Sequence, residues 1–255
     1  MSEADLRRRV EEASLNGWPA LRQVLLDGWV LRFSEGHTRR SNSVTPLTTG
    51  RHDLAEKIAQ CEVLYARRGL SPLFRVTGLA EPGLDAALDA QGYAPAEDPS
   101  CVLFMDFARH TPSTCDAALA EGQPCADWLA AHARATGSDA AAQGAQRNIL
   151  QALALPAVFA AARGADGGFG SLAFGAVHDG IVCVNLVVTH PAQRRQGMAR
   201  RAVSAVLSWA RESAGAEGAC LAVVAANMPA IALYRGLGFE TELYRYHYRR
   251  KTAPM

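Results

Sequence analysis

The residues best placed to do chemistry are Arg194-Arg195-Gln196-Gly197-Met198-Ala199. They lie between an apolar run, residues 181–188, and a pattern with apolar residues at Ala199, Val203, Val206, Leu207 and Ala210. The run reads as a buried strand and the pattern as a helix. A strand that turns through such a loop into a helix makes an anion site. The first helical amides lack internal partners, and the helix dipole favours negative charge there. Gly197 lets a ligand approach the backbone, and Arg194 and Arg195 add charge suited to phosphate. The expected ligand is a phosphorylated small molecule. Two common nucleotide loops do not fit. No Lys followed by Ser or Thr completes a Walker pattern, and the three spaced glycines of a dinucleotide fingerprint are missing.

A second stretch narrows the ligand. Residues 219–225 read as another buried strand, leading to Asn227-Met228-Pro229-Ala230-Ile231-Ala232-Leu233-Tyr234-Arg235-Gly236-Leu237-Gly238-Phe239. Asn227 suits an N-cap, Pro229 the first helical turn and Gly238 the C-terminal cap. The Arg194–Ala199 loop resembles the pyrophosphate loop of the GNAT superfamily of acyl-CoA-dependent N-acetyltransferases: Gln or Arg, two variable residues, Gly, one variable residue, then Gly or Ala. The second stretch resembles that family's last helix, with Asn at its start, Tyr near its end and a Leu-Gly-Phe exit. The resemblance covers roughly residues 124–251.

The resemblance implies transfer of an acetyl group from acetyl-CoA, a co-substrate, to a primary amine by direct attack in a ternary complex. It implies that backbone groups of Val187, Val188 and Thr189 pair with the pantetheine arm as an added strand would. Amides from Arg195 through Gln196, Gly197 and Met198 to Ala199, with Arg194, would hold the pyrophosphate. Arg200 would reach another phosphate, or be a solvated helix residue. Asn227 would contact the cofactor as well as cap its helix. Tyr234 would face the departing sulfur. A free Tyr titrates near ~10 and a thiol near ~8.5, so full proton donation is uphill by roughly 2 kcal/mol. Tyr234 is therefore expected to stabilise the developing thiolate by a hydrogen bond.

The general base stays open. Some family members carry Glu five residues before the Asn; here that position is Ala222. His190, Asn185, Glu240, Glu242, a water chain, or His37 and Glu35 from the first half are candidates, and an acceptor amine of lowered pKa needs none. The acceptor itself is not legible. Two other readings remain beside the enzyme: a non-catalytic acyl-CoA-binding sensor or regulator, and an interaction module whose Arg loop is a surface feature.

These residues need a scaffold. Residues 1–107 are read as an N-terminal lobe, 108–123 as a linker containing Pro112, Ser113, Thr114 and Gly122, and 124–255 as the cofactor-binding lobe. In the second lobe, two helices precede strands at 157–162 and 170–177, with a hairpin turn at Asp166-Gly167-Gly168. The strand at 181–188 follows, giving an antiparallel meander that feeds the Arg194 loop. The first lobe reads as a helix at 3–14, strands at 28–33 and 41–46, a helix at 53–68, a strand at 73–77, a helix at 83–91 and a strand at 101–107. This order repeats that of the second lobe. Thr48-Thr49-Gly50-Arg51-His52-Asp53 stands where the Arg loop would be, and Leu88 where Tyr234 would be, so the first lobe is expected to be degenerate. The fold expected is α+β (mixed α/β): a GNAT-like twisted mixed sheet flanked by helices, in two tandem GNAT-like lobes. The tail, Tyr244-Arg245-Tyr246-His247-Tyr248-Arg249-Arg250-Lys251, alternates aromatic and basic residues and reads as an edge strand.

Length and composition bound the rest. The 255 residues, 49% hydrophobic and 20% charged, suit a soluble globular chain. A net charge of +1 gives no general attraction to nucleic acid or anionic membrane. No apolar run approaches the ~20 residues of a membrane span, and the charged first residues lack a signal core. The six cysteines form no Cys-x-x-Cys pair and read as reduced thiols of a cytoplasmic protein, without zinc or disulfides. A monomer or homodimer is expected.

Overall fold

The computed structural model describes residues 2–165 and 167–251. In chain order its elements begin with helix α1 (Glu3–Asn16), strands β1 (Arg22–Leu26), β2 (Trp29–Phe33) and β3 (Val44–Pro46), helix α2 (Leu54–Ala66), β4 (Leu73–Val76), α3 (Leu84–Ala90) and β5 (Glu97–Asp106). They continue with β6 (Ala118–Glu121), α4 (Ala126–Thr136), α5 (Ala140–Gln151), β7 (Ala157–Arg163), β8 (Phe169–His178) and β9 (Ile181–Thr189). A 3-10 turn (Pro191–Gln193), α6 (Met198–Glu212), β10 (Gly218–Val224), α7 (Met228–Arg235) and β11 (Thr241–Arg250) complete the order.

These elements form two compact units that interleave in sequence. The first contains the segment up to Pro19, Leu103–Val223 and Asn227–Leu243; the second contains Ala20–Val102, Val224–Ala226 and the segment from Tyr244. In the first unit the strand order is β10-β9-β8-β7-β6, with β9 and β10 parallel and the other pairs antiparallel. Asp166 of the β7–β8 turn lies outside the described residues; beside it, the Gly164 N–H donates to the Gly168 carbonyl at 2.9 Å. The amphipathic α6 lays Ala202, Val203, Val206, Leu207 and Ala210 against this sheet, all fully buried. Each Val or Leu so buried contributes about 1.5–3 kcal/mol. The helix can sit close because Gly175 on β8 has no side chain: a Cβ there would lie 2.4 Å from Val206 Cγ1. Trp128 of α4 fixes the other helical layer. Its indole N–H donates to the Ala160 carbonyl at 3.0 Å, and its ring meets Phe159 edge-on at 5.2 Å.

Helix α1 belongs to this first unit. Val10, Ala13 and Leu15 are buried, the helix packs on β8 and β9, and Trp18 rests against Phe174 at 6.1 Å between ring centres. The stretch 108–123, read from sequence as a linker, carries β6, which pairs antiparallel with β7 from Ala118↔Ala161 to Glu121↔Val158. Its four residues are largely exposed, so they show little apolar alternation.

In the second unit β1 to β4 run in order and are followed by β11. β3 and β4 are parallel, whereas β1–β2, β2–β3 and β4–β11 are antiparallel. Helices α2 and α3 cover a core of Trp29, Leu31, Phe33, Ile58, Tyr65 and Phe74, with further apolar neighbours. Lys57 is buried above the Trp29 ring at 4.3 Å and pairs with Glu81, which also accepts the Trp29 indole N–H at 2.8 Å. The tail is not an edge strand. β11 lies between β4 and β5 in the strand order and pairs antiparallel with β4 from His247↔Val76 to Arg250↔Leu73. Its basic residues are used internally: Arg249 pairs with Asp85 at 2.8 Å and with Asp89, and Lys251 with Glu62 at 2.5 Å. Tyr246 and Tyr248 are buried. Paired on both sides, this strand presents no free edge for dimerisation.

Both units contain a parallel strand–helix–strand followed by a helix, β3-α2-β4-α3 in one and β9-α6-β10-α7 in the other. No helix among the described residues is long and apolar enough to cross a membrane.

Candidate functional site

The parallel pairing of β9 with β10 runs from Ile181↔Gly218 to Cys183↔Cys220 and goes no further, although both strands continue. The cause lies on the other side of β9. Its register with β8 shifts between Leu172↔Val188 and Phe174↔Asn185, a bulge in which Leu186 takes a left-handed φ of 50°. A bulge bends its strand and re-aims the residues beyond it. Leu186, Val187, Val188 and Thr189 are consequently half-buried, whereas Ile181–Asn185 are buried. Thr189 is anchored to β8 through Ser171 Oγ at 2.9 Å.

Beyond Thr189 the chain turns through Pro191–Gln193 into the Arg loop. Arg195 and Gly197 both have left-handed backbone, φ 60° and 74°. Alternation of this kind turns successive N–H groups inward as an anion-binding nest. Gly197 is the N-cap of α6, and no side chain caps the helix; the Arg201 N–H makes the first return bond, to the Gly197 carbonyl at 3.2 Å. A Cβ at Gly197 would meet nothing within 4 Å, so the space over the loop is open. Arg194, Arg195 and Gln196 are exposed, while Met198 and Ala199 are half-buried. Arg200 Nη1 donates to the Gly236 carbonyl at 2.8 Å. Arg201 donates to the Asp116 carbonyl at 2.9 Å.

Helix α7 starts at Asn227, whose side chain accepts the Ala230 N–H at 3.2 Å. Tyr234 is the one buried side chain of this helix. Its ring meets Phe239 at 6.1 Å, close to edge-on, and its hydroxyl makes no hydrogen bond to any described residue. Burial pushes the phenol up to about 12. A donor of that kind stays protonated and retains a hydrogen bond to give.

The candidate bases are scattered. Asn185 is buried and donates to the Cys183 carbonyl at 3.1 Å. His190 is exposed, with its backbone N–H on the Gly170 carbonyl. Glu240 pairs with His110 at 3.1 Å, a partner that the sequence did not single out. Ala222 is half-buried on β10. In the second unit, burial lowers the affinity of His37 for a proton. That loop is organised by Asn42, which accepts the Ser34 and Gly36 N–H groups and donates to the carbonyls of His37 and Thr38. Glu35 there has a φ of 56° and is exposed.

The loop before α2, at the equivalent place in the repeat, is already filled. Asp27 Oδ2 accepts the N–H of Arg51 at 2.7 Å and of His52 at 2.9 Å, and Asp53 caps α2 by accepting the Glu56 N–H at 2.9 Å. These N–H groups hold Asp27 below the usual carboxylate range, His52 most strongly. A Cβ on Gly50 would lie 2.0 Å from Asp27 Oδ2. Carboxylates of the chain itself occupy the amides that an anion would use.

Comparison with known proteins gives the class first. A GCN5-related N-acetyltransferase from Kribbella flavida superposes with a TM-score of 0.69 at 20% identity, covering 97% of this chain and 96% of that one. A tandem GNAT protein from the clavulanic acid biosynthesis pathway superposes with a TM-score of 0.59 at 16% identity, over 78% of this chain and 70% of its own. The fold is that of the GNAT superfamily. The chain belongs, over residues 4–250, to the family described as "Probable histone acetyltransferase Rv0428c C-terminal", and it is an acyltransferase of the GNAT type. Among its relatives is the "Uncharacterized N-acetyltransferase YobR" of Bacillus subtilis, 25% identical over 96% of this chain and 98% of that protein. Another is the "Probable histone acetyltransferase Rv0428c" of Mycobacterium tuberculosis, 35% identical over 27% of this chain and 22% of that protein.

Proposed function

We propose that the protein transfers an acetyl group from acetyl-CoA to a primary amine by direct attack in a ternary complex. The observation that carries this reading is the opening of β9 from β10 beyond Cys183, directly before the uncapped start of α6. An extended chain with an amide-bearing arm and a pyrophosphate head matches that sequence of features. The arm would pair with backbone of Val187, Val188 and Thr189. The pyrophosphate would sit on amides from Arg195 to Ala199, with Arg194 and Arg195 adding charge. Asn227 would border the arm, and Tyr234 would donate to the sulfur as it departs. The amine nitrogen attacks the thioester carbonyl, the C–S bond breaks, and the thiolate takes its proton from the ammonium product through water. The filled loop of the second unit supports a single cofactor site, on residues 124–251.

Calorimetric titration of acetyl-CoA into wild type and Gly197→Glu tests this. Submillimolar binding that the variant loses is the expected result, followed by thiol release in an amine screen. Absence of binding to wild type would overturn the reading. Binding without thiol release from any amine would favour an acyl-CoA sensor.

A further inference from the structure

We propose that Arg200 is a positioning residue: it grips the C-terminal end of α7 and thereby sets Tyr234, instead of serving as a phosphate ligand. What Tyr234 does rests on the function proposed above; how α7 is held does not.

Helix α7 has eight residues and buries only Tyr234. An isolated helix that short is unstable in water, so tertiary contacts must hold it. Asn227 secures one end. At the other, Arg200 Nη1 donates to the Gly236 carbonyl at 2.8 Å. The last carbonyls of a helix carry the negative end of its dipole, where a guanidinium is favourable.

Gly236 shows that the grip is built in. Its φ of −67° is ordinary helical backbone, open to any residue. A Cβ there, however, would lie 2.6 Å from Arg200 Nη2. The missing side chain makes room for the guanidinium. The same turn fixes Tyr234: the N–H groups of Leu237 and Phe239 both donate to the Tyr234 carbonyl, at 3.0 and 3.1 Å, and the fully buried Phe239 ring meets the Tyr234 ring. Arg200 itself lies in the first turn of α6. One side chain thus ties the helix behind the Arg loop to the helix that carries the phenol.

The test compares Arg200→Ala, Arg200→Lys and Gly236→Ala with wild type in the full chain. Amide hydrogen exchange without ligand is expected to be at least about ten-fold faster across α7 in Arg200→Ala and Gly236→Ala, with β7 to β9 unchanged. Arg200→Lys, which keeps one donor for the Gly236 carbonyl, is expected to stay near wild type. Unchanged exchange in α7 in both variants overturns the proposal, whatever the cofactor proves to be. So does loss of protection throughout the chain, which would make Arg200 a general stabiliser. With acetyl-CoA, kcat is expected to fall about ten-fold in both while Kd moves less than about three-fold. A Kd raised about ten-fold or more in Arg200→Ala alone would mark a phosphate ligand and overturn the proposal. Failure of wild type to bind acetyl-CoA would remove the proposed function and leave the exchange test in force.

Discussion

Asp27 accepts the His52 N–H at 2.9 Å, so the loop that leads into α2 carries an anion of its own. No carboxylate among the described residues caps α6 at the corresponding loop. Two copies of one strand-loop-helix arrangement have diverged at the point where charge is received.

The acid limb of stability should report this contact. Asp27 has a folded pKa below its unfolded value, because its charged form is held chiefly by the His52 N–H and then by that of Arg51. It therefore contributes stability that is present above the unfolded value of ~3.9 and lost as pH falls through the folded one. Asp27→Asn is expected to lower the Tm at pH 7, with the difference from wild type shrinking below about pH 4. Thermal scans from pH 2.5 to 7 check it; a constant difference would mean that the charge of Asp27 is irrelevant.

Burial pushes the Tyr234 phenol up to about 12. Against a thiol near ~8.5, handing over a whole proton would cost about 5 kcal/mol, so a retained hydrogen bond is the workable role. Tyr234→Phe is expected to lower kcat roughly ten- to hundred-fold with little change in the acetyl-CoA Kd. The ratio of wild-type to variant rates should stay flat from pH 7 to about 10, since the phenol remains protonated throughout that range. Equal turnover numbers would remove Tyr234 from the mechanism.

Gly197 combines a φ of 74° with open space around its Cβ position. Gly197→Ala is expected to cost about 1–2 kcal/mol from the left-handed backbone alone. Gly197→Asn should cost less, since Asn tolerates that conformation. Urea midpoints check the order, and equal costs would mean that the loop relaxes on substitution.

Gly175 is different, because crowding and not φ demands glycine. Its Cβ would lie 2.4 Å from Val206 Cγ1 and 2.8 Å from Val182 Cγ2. Overpacking of this kind costs about 1–3 kcal/mol. Gly175→Ala should therefore shift the urea midpoint down without changing its slope. Gly175→Ala combined with Val206→Ala should recover part of the loss, and no recovery would place the strain elsewhere.

Most elements were legible where a local rule writes them. Asn227 accepts the Ala230 amide as its expected capping role requires, and Asp53 and Asp139, at the starts of their helices, accept the Glu56 and Ala142 amides. The run at 181–188 and the pattern from Met198 appear as β9 and α6. What escaped depends on partners distant in sequence. β1 has four exposed residues among five, so no apolar face marks it, although Asp27-Gly28 is an ordinary hairpin signal. The bulge at Leu186 falls on a residue that gives no hint of a left-handed φ. The tail's alternation suggested one solvated face, but Asp85, Asp89 and Glu62 meet its basic residues from helices far earlier in the chain. The Arg loop was readable as a motif; the direction taken by Arg200 was not, because Gly236 lies on another helix.

The place of β11 bears on the order in which the polypeptide can mature. Strand β4 is made early on the ribosome, yet its partner β11 emerges only after β6 to β10 and α4 to α7 have been synthesised. Helix α1 likewise precedes the β8 and β9 surface that covers it by most of the chain. Neither unit is a contiguous stretch that can finish first. Loop closure over such separations is slow, so the nascent N-terminal half holds its own apolar core but waits, with one backbone edge of β4 unpaired, for the last strand to arrive.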